Sequence, residues 1–379
     1  MAPPTIQLPK SPLGRHRLLA PTAGVFVSPI CLGTMNFGGV MSDSLGECTK
    51  ETAFEILEYF YEQGGNFLDT ASSYQGEESE KWLGEWLFKT ERRDEFVLAT
   101  KYTGNFKSRS ESHRQQSNYG GNGTKSLHLS VEASLKKLQT TYIDLLYLHF
   151  WDMTADIPEI MQSLNHLVTS GKVLYLGISD TPAWIVVKCN EYARQHGLRQ
   201  FSVYQGRWSA ADRDLERDIV PMCHAEGMGI APWGTLGRGL FKPKDQIKNG
   251  GRNMPSMNNG REALVSERLE CIANAKGVDV TSVALAYVLH KSTYVFPIVG
   301  GRKLDHIRGN IGALSLCLTD QDIADIDTSY SFDIGFPHNF LSGNTDQGPK
   351  GPWDVRTANV RGVFDYVKNG QPILLQTEE

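Results

Sequence analysis

The sequence has few cysteines, and their spacing shows no pairing. Six are scattered through the 379 residues without a CxxC pair: Cys31, Cys48, Cys189, Cys223, Cys271 and Cys317. This distribution argues against a disulfide framework and against a cysteine-based zinc site. We therefore expect no metal and a reducing compartment.

Long apolar runs and an excess of positive charge are also missing. The N-terminal residues MAPPTIQLPKSPLG contain no apolar core of a signal peptide, and no apolar run is long enough to span a membrane. The net charge of −5 gives no basic field for nucleic acid. We expect a cytoplasmic protein whose partner is a small-molecule carbonyl or alcohol, without nucleic acid or membrane. A monomer and a homo-oligomer are both compatible with the sequence.

Between residues 30 and 315 the chain alternates short apolar runs with segments of helical period, which is typical of repeated βα units. The strand-like runs are residues 30–35, 66–71, 96–101, 143–149, 173–179, 201–205, 229–233 and 294–299. They could form a closed barrel or an open doubly wound sheet. An open dinucleotide-binding sheet would carry a GxGxxG turn after its first strand, whereas the sequence there reads CLGTMNFGG. We therefore predict an α/β fold of the (β/α)8 TIM-barrel type.

The predicted organisation is one barrel domain at residues 17–329, with an N-terminal extension at 1–16 and a C-terminal tail at 330–379. Residues 17–28, with a turn at Gly24, predict a hairpin that closes the barrel floor. The tail, rich in Gly, Pro, Asn and Asp, could pack on the barrel mouth, join a dimer or be disordered.

Two long loops are expected outside the repeat. Residues 104–125, after the third strand, are polar and Gly-rich, and we interpret them as a mobile lid. Residues 237–262, after the seventh strand, are basic. Helix starts are predicted at Thr181-Pro182 and at a capping box formed by Thr319 and Asp322.

The active site of such a barrel lies at the C-terminal ends of its strands. Three predicted strands reach a polar residue there, namely Asp69, Lys101 and His149, and Tyr74 follows Asp69 by five residues. Each has an ordinary structural explanation alone, but adjacent strands bring their ends together. A lysine ammonium would lower a tyrosine pKa from near 10, while an aspartate holds the lysine and a histidine donates to a carbonyl oxygen. The cluster suits acid catalysis of hydride transfer.

The segments GGNFLDTASSYQGEESEKWLG, LATK and DLLYLH resemble the signatures of aldo-keto reductases. The resemblance covers about residues 17–328. It implies a catalytic tetrad of Asp69, Tyr74, Lys101 and His149 with Tyr74 as general acid and base. It also implies a TIM barrel that binds NADP(H) in extended form and interconverts an aldehyde or ketone and its alcohol.

The same resemblance implies the cofactor site. Its residues are Gly33, Thr34, Met35, Asp69, Ser179, Asp180, Gln205, Trp233, Gly234, Leu236, Arg238, Gly300, Arg302, Lys303, Arg308 and Asn310. Arginine recognition of a 2′-phosphate favours NADP over NAD. Two residues depart from the family pattern, since Asp180 replaces an asparagine and Trp233 a tyrosine. Ionised Asp180 can accept but not donate a hydrogen bond, so its nicotinamide contact is altered or the residue turns away.

The variants GISDTPAW, APWGTLGRG and PIVGGRK resemble the fungal aryl-alcohol dehydrogenase branch, which includes norsolorinic acid reductase-like enzymes of secondary metabolism. Aromatic side chains near the predicted strand ends fit an aromatic or polyketide-like substrate, with packing at the barrel rim as the other explanation. They are Phe37, Tyr102, Phe150, Trp151 and Trp208. The residues do not decide the direction of the reaction.

Two other functions fit parts of the pattern. A non-catalytic, nicotinamide-binding regulatory subunit, like the auxiliary subunits of potassium channels, would share the fold, but the intact tetrad argues against it. A metal-dependent barrel hydrolase could use His149, Asp69 and Asp152, but the sequence contains neither HxH nor HExxH.

Overall fold

The computed structural model describes residues 8–244, 260–356, 359–367 and 370–373. It begins with an antiparallel hairpin of β1 (Arg17–Ala20) and β2 (Ala23–Val27). Their buried side chains pack with the residues that fill the barrel, as expected for a floor. The predicted turn at Gly24 is wrong. The chain turns at residues 21–22, where Pro21 supplies the φ that a β-turn favours, and Gly24 lies within β2.

Eight parallel strands follow within the described ranges. They are β3 (Cys31–Gly33), β4 (Phe67–Asp69), β5 (Val97–Tyr102), β6 (Ile143–Leu148), β7 (Val173–Ser179), β8 (Phe201–Gln205), β9 (Gly229–Ile230) and β10 (Ile298–Val299). The order β10-β3-β4-β5-β6-β7-β8-β9 continues into a parallel bridge between Ile230 and Val295, which brings the two edges together. The predicted (β/α)8 barrel is confirmed. The last two strands are shorter than predicted, since Pro232 and Pro297 have no N–H for the ladder.

The described helices are α1 (Ser42–Leu45), α2 (Lys50–Glu62), α3 (Glu78–Thr90), α4 (Thr124–Leu138), α5 (Ile157–Thr169), α6 (Ala183–His196), α7 (Ile219–Glu226), α8 (Arg261–Lys276), α9 (Val280–Lys291), α10 (Leu304–Gly312), α11 (Asp320–Asp327) and α12 (His338–Ser342). The Thr319–Asp322 capping box of α11 is confirmed. Thr181 does not cap α6, because its hydroxyl donates to the Ser179 carbonyl.

No single described helix is both long and apolar enough to cross a membrane. Helices α8 and α9 meet that criterion of length and composition only when they are taken together, and they are bent by 101° relative to each other.

The barrel interior is packed with side chains, so it is a core and not a channel. Its members include Cys31, Phe67, Val97, Ala99, Leu145, Tyr147, Val203 and Phe296. Two larger clusters pack outside the strands, between the sheet and the helices. Because apolar side chains fill the barrel interior, the polar residues at the C-terminal ends of the strands lie together at one mouth of the barrel.

The long segment after β5 is anchored by hydrogen bonds to its neighbours. Asn122 donates from Nδ2 to the Phe150 carbonyl at 3.0 Å, and the Asp152 amide donates to Asn122 Oδ1 at 2.8 Å. Lys107 pairs with Glu77 at 2.9 Å, close in sequence to Tyr74. The interpretation of this segment as a lid stays a prediction. Of the second predicted loop, residues 245–259 lie outside the described residues.

The beginning of the tail packs on the barrel beside the segment that follows β8. Tyr330, Phe332 and Ile334 are buried, and the Phe332 ring centroid lies 4.6 Å from the Arg213 guanidinium. Arg217 Nη2 donates to the Asp333 carbonyl at 2.7 Å. These contacts favour the first of the three alternatives for this part of the tail. Residues 357–358, 368–369 and 374–379 lie outside the described residues.

Candidate active site

The four residues predicted as a tetrad come together at the C-terminal ends of the strands. Asp69 is the last residue of β4, Lys101 lies in β5, and His149 directly follows β6. Tyr74 begins a short 3-10 turn after β4. The parallel register aligns Asp69 with Ala99, two residues before Lys101.

A buried ion pair forms the base of this cluster. Lys101 Nζ donates to Asp69 Oδ1 at 2.5 Å and to the Thr70 carbonyl at 2.7 Å. Gln205 Nε2 donates to the other carboxylate oxygen, Asp69 Oδ2, at 3.0 Å. Burial lowers the pKa of Lys101, but the negative Asp69 and the nearby Tyr74 more than offset it, and the pKa is raised above its usual value. The ammonium therefore keeps its proton.

Tyr74 lies over this pair. Its ring centroid is 4.9 Å from Lys101 Nζ and 5.9 Å from the His149 ring, which meets it edge-on at 75°. Loss of water raises the pKa of the phenol above 10.0, the Lys101 ammonium lowers it in part, and Asp69 raises it again. The net shift is upward, opposite to the direction expected from the lysine alone. The phenol is therefore a protonated donor at neutral pH.

His149 faces Tyr74 as a neutral imidazole. Burial, reinforced by the positive Lys101, lowers its pKa to about 3. Its backbone N–H donates to the Tyr102 carbonyl at 3.3 Å, which holds the residue in line with β5. A neutral imidazole has one N–H to donate, so His149 can bind an oxygen atom without carrying charge.

The residues predicted to hold the cofactor surround the same mouth. They end or follow β3 (Gly33, Thr34, Met35), end β4 (Asp69), end or follow β7 and β8 (Ser179, Asp180, Gln205), follow β9 (Trp233, Gly234, Leu236, Arg238), and lie between β10 and α10 or within α10 (Gly300, Arg302, Lys303, Arg308, Asn310). Four have buried polar atoms without a hydrogen-bond partner in the described part of the chain: Thr34 Oγ1, Ser179 Oγ, Arg238 Nε and Asn310 Nδ2. Buried polar atoms are normally satisfied, so these four unpartnered atoms fit contact with a polar ligand.

Comparison with known proteins agrees with this geometry. A model of the "Aldo/keto reductase family" matches residues 29–331. The chain belongs to the aldo/keto reductase family. It is 56% identical over 362 residues to norsolorinic acid reductase B of Dothistroma septosporum, covering 93% of this chain and 92% of that protein. It is 57% identical over 367 residues to aryl-alcohol dehydrogenase GME11368 of Pestalotiopsis microspora, covering 96% and 94%.

A third fungal relative, norsolorinic acid reductase stcV of Emericella nidulans, is 52% identical over 379 residues, which is 98% of this chain and 97% of that protein. The resemblance predicted from the motifs is confirmed. Aldo/keto reductases generally use a nicotinamide cofactor, and these relatives carry the names of oxidoreductases.

Asp180 and Trp233, the two residues predicted to depart from the aldo/keto reductase pattern, touch each other. Trp233 Nε1 donates to Asp180 Oδ1 at 3.3 Å. Asp180 has a left-handed φ of 41°, a conformation that aspartate adopts more readily than most residues.

Three of the residues predicted to bind the adenosine end of the cofactor carry positive charge. The guanidinium of Arg302 packs so closely on Gly46 that a side chain at Gly46 would overlap it. Lys303 immediately precedes α10. Arg308 donates from Nη1 to Asp305 at 3.2 Å and lies 5.4 Å from the Tyr59 ring centroid.

Three of the predicted substrate residues are placed differently from the prediction. Phe37, Tyr102 and Trp208 are at most 1% exposed and pack in the clusters outside the strands, so they present no surface to a substrate. Trp208 Nε1 donates to Glu216 at 3.1 Å. Phe150 is exposed and its ring lies 5.8 Å from the His149 ring, whereas Trp151 is partly buried and packs against one of the clusters outside the strands.

Some contributors to the site carry no signal in the sequence. The Thr70 carbonyl, the second anchor of Lys101, is a backbone atom that no motif reveals. Glu262, which pairs with Arg238 at 3.3 Å, lies far along the chain in α8. Asp152, considered above as a metal ligand, accepts instead from the amides of Asn122 and Thr154 at 2.8 and 2.9 Å.

Proposed function

We propose that this chain is an NADP(H)-dependent oxidoreductase that interconverts an aromatic aldehyde or ketone and its alcohol, with Tyr74 as general acid and base. The observation that carries the proposal is the position of the Tyr74 phenol, above the buried Lys101–Asp69 pair and edge to face with neutral His149. This arrangement gives one oxygen-binding donor and one proton donor at a single point.

The role of each catalytic residue follows from its protonation state. When bound, the nicotinamide supplies a hydride to the carbonyl carbon. His149 donates a hydrogen bond to the carbonyl oxygen, and Tyr74 delivers its proton to that oxygen as negative charge develops there. The Lys101 ammonium stabilises the phenolate that remains, and Asp69 and the Thr70 carbonyl keep the ammonium in place. In alcohol oxidation the same phenolate accepts the proton.

NADP(H) is supported by the charge at the far end of the site. Arg302, Lys303 and Arg308 lie around the start of α10, where a 2′-phosphate would find guanidinium and ammonium donors. Arg238 Nε and Asn310 Nδ2, which have no hydrogen-bond partner in the described part of the chain, offer further donors to the cofactor. Exchange of NADPH for NADH tests this part of the proposal.

An aromatic substrate is supported by Phe150, which borders His149, and by the names of the fungal relatives. Aromatic rings would offer a flat aryl carbonyl a stacking surface next to the proton donor. The six free cysteines, two of them exposed, fit a reducing cytoplasm as the place of the reaction.

The test is NADPH oxidation with a panel of aryl and short aliphatic aldehydes. We expect turnover with a preference for aryl aldehydes, and a loss of at least about a hundredfold in kcat for Tyr74→Phe, since its proton donor is gone. Activity that survives Tyr74→Phe would contradict the mechanism. NADPH binding without turnover of any carbonyl would favour a regulatory, non-catalytic role instead.

A further inference from the structure

A buried tyrosine in the barrel interior takes no part in the chemistry described so far. Tyr147 lies in β6, in register with Lys101 of β5 on one side and Gly177 of β7 on the other. It is completely buried within the cluster that fills the barrel. A side chain at Gly177 would overlap the Tyr147 ring, so the ring lies flat against the bare backbone of β7.

This position brings the Tyr147 ring beside the lysine of the active site. Lys101 Nζ lies 5.8 Å from the Tyr147 ring centroid and 4.9 Å from that of Tyr74. The ammonium therefore has an aromatic ring of the interior and the aromatic ring of the proton donor within cation–π range. Only Tyr74 belongs to the predicted tetrad.

The Tyr147 hydroxyl is in an unusual environment for a buried polar group. It has no hydrogen-bond partner of normal geometry within the described residues. Burial and then the negative charge of Asp69 raise its pKa well above the usual value, while Gln205 approaches it and opposes that shift. Gln205, however, already donates to Asp69. The hydroxyl thus lies within the electric field of Asp69 and keeps its proton.

A phenylalanine would fill the same space without burying an unpartnered hydroxyl, which is destabilising. Groups that lower stability in this way are expected at functional sites rather than in an ordinary core. A phenol O–H can rotate to point toward a carboxylate that lies beyond hydrogen-bond distance, and its dipole then offsets part of the negative charge.

We propose that Tyr147 is a positioning residue of the catalytic cluster, whose ring backs the Lys101 ammonium and whose hydroxyl dipole stabilises the Asp69 carboxylate from inside the barrel. This inference rests on the function proposed above. Because Asp69 raises the pKa of Tyr74, a hydroxyl that offsets part of the Asp69 charge holds that pKa lower than it would otherwise be. Tyr147 would thus adjust the proton donor through Asp69 and Lys101.

The test compares Tyr147→Phe with a matched control, Tyr287→Phe. Both tyrosines are completely buried, but Tyr287 donates to Asp327 at 2.5 Å, among residues that do not belong to the tetrad or the cofactor site. Tyr147→Phe should melt at the same or a higher temperature than the parent protein. It should also raise the pKa of Tyr74 by about half a unit and lower kcat for aldehyde reduction by roughly twofold. Tyr287→Phe should melt lower and leave the pKa and kcat unchanged.

The pKa of Tyr74 is read from the ultraviolet absorbance of its phenolate, as the difference between each protein and its Tyr74→Phe version, and this reading needs no turnover. An unchanged Tyr74 titration in Tyr147→Phe would overturn the role of the hydroxyl even if the enzyme is active. Tyr147→Leu removes the ring as well, and a kcat equal to that of Tyr147→Phe would overturn the role of the ring. A parent protein that reduces no carbonyl contradicts the proposed function, while the titration still decides the role of the hydroxyl.

Discussion

The indole Nε1 of Trp233 donates a hydrogen bond to Oδ1 of Asp180 at 3.3 Å. These are two residues at which the motif resemblance implies a departure from the family pattern, and they form one local unit. The unit also influences the proton donor electrostatically, because the negative charge of Asp180 contributes to raising the pKa of Tyr74.

Asp180→Asn tests that connection. Removing the negative charge should lower the pKa of Tyr74 toward its usual value, by a fraction of a unit. Asparagine can also donate to a carboxamide oxygen, so we expect NADPH to bind about threefold to tenfold more tightly. Fluorescence titration gives the affinity, and the alkaline limb of kcat for reduction gives the pKa. A limb that stays in place would show that the charge of Asp180 does not influence Tyr74.

The pH dependence of the parent enzyme follows from the two shifted groups. Tyr74 must be protonated to reduce a carbonyl, and its pKa is raised above 10.0, so activity is present below that pKa and falls only as the pH rises through it. His149, with a pKa of about 3, stays neutral throughout. We therefore expect kcat for reduction to be flat from about pH 6 to pH 9. An acidic limb near the ordinary histidine pKa would contradict the neutral state of His149.

The buried Lys101–Asp69 pair at the base of the site is expected to affect the stability of the fold. The Lys101 and Asp69 side chains are 0% and 4% exposed, so Lys101→Met leaves a carboxylate buried without its counter-charge. We expect the free energy of unfolding to fall by about 3 to 5 kcal/mol. The double variant Asp69→Asn/Lys101→Met removes both charges and should recover most of that loss while remaining inactive. Urea unfolding followed by circular dichroism measures both. A double variant as unstable as Lys101→Met would show that the ion pair itself does not cause the effect.

Sequence reasoning succeeded where position along a strand determines position in space. Asp69, Lys101 and His149 were identifiable because each stands at or next to the end of an apolar run, and parallel strands bring such ends together. The upward shift of the Tyr74 pKa was not identifiable, since it depends on how completely the surrounding protein excludes water from the phenol. The contact of Tyr74 with a lysine can be inferred from the sequence. The loss of water around the phenol can be judged only from the folded structure.

The direction in which the aromatic side chains face was also not determined by the sequence. Phe37, Tyr102 and Trp208 stand near strand ends like Phe150, but their side chains turn into the packing outside the strands. A shift of one residue along a strand decides whether a side chain faces the barrel mouth or the packing outside the strands. Apolar side chains are tolerated in both places. Tyr147 carries no distinguishing signal in the sequence for a related reason. Within the run LLYLH it resembles any other residue of a buried strand, and only its contact with Gly177 and its unpartnered hydroxyl distinguish it.

Arg302 should decide the choice between the two nicotinamide cofactors. Its guanidinium lies beside Gly46 at the end of the site where a 2′-phosphate is expected. Hydrogen bonds to charged groups contribute about 1.5 to 3 kcal/mol, so Arg302→Ala should raise KM for NADPH by roughly tenfold to a hundredfold and leave KM for NADH unchanged. Steady-state kinetics with both cofactors and one aryl aldehyde gives the ratio.

Two further variants separate recognition of the phosphate from a general loss of structure. Gly46→Ala would displace the Arg302 guanidinium and also strain the left-handed backbone at a φ of 79°, so the ratio of NADPH to NADH preference, and not the activity, is expected to fall in the same direction as in Arg302→Ala. Arg268→Ala, on α8, removes an arginine that pairs with Asp325 at 3.7 Å and should leave the preference unchanged. Equal losses with NADPH and NADH in Arg302→Ala would mean that this arginine supports the fold of the segment after β10 and does not read the 2′-phosphate.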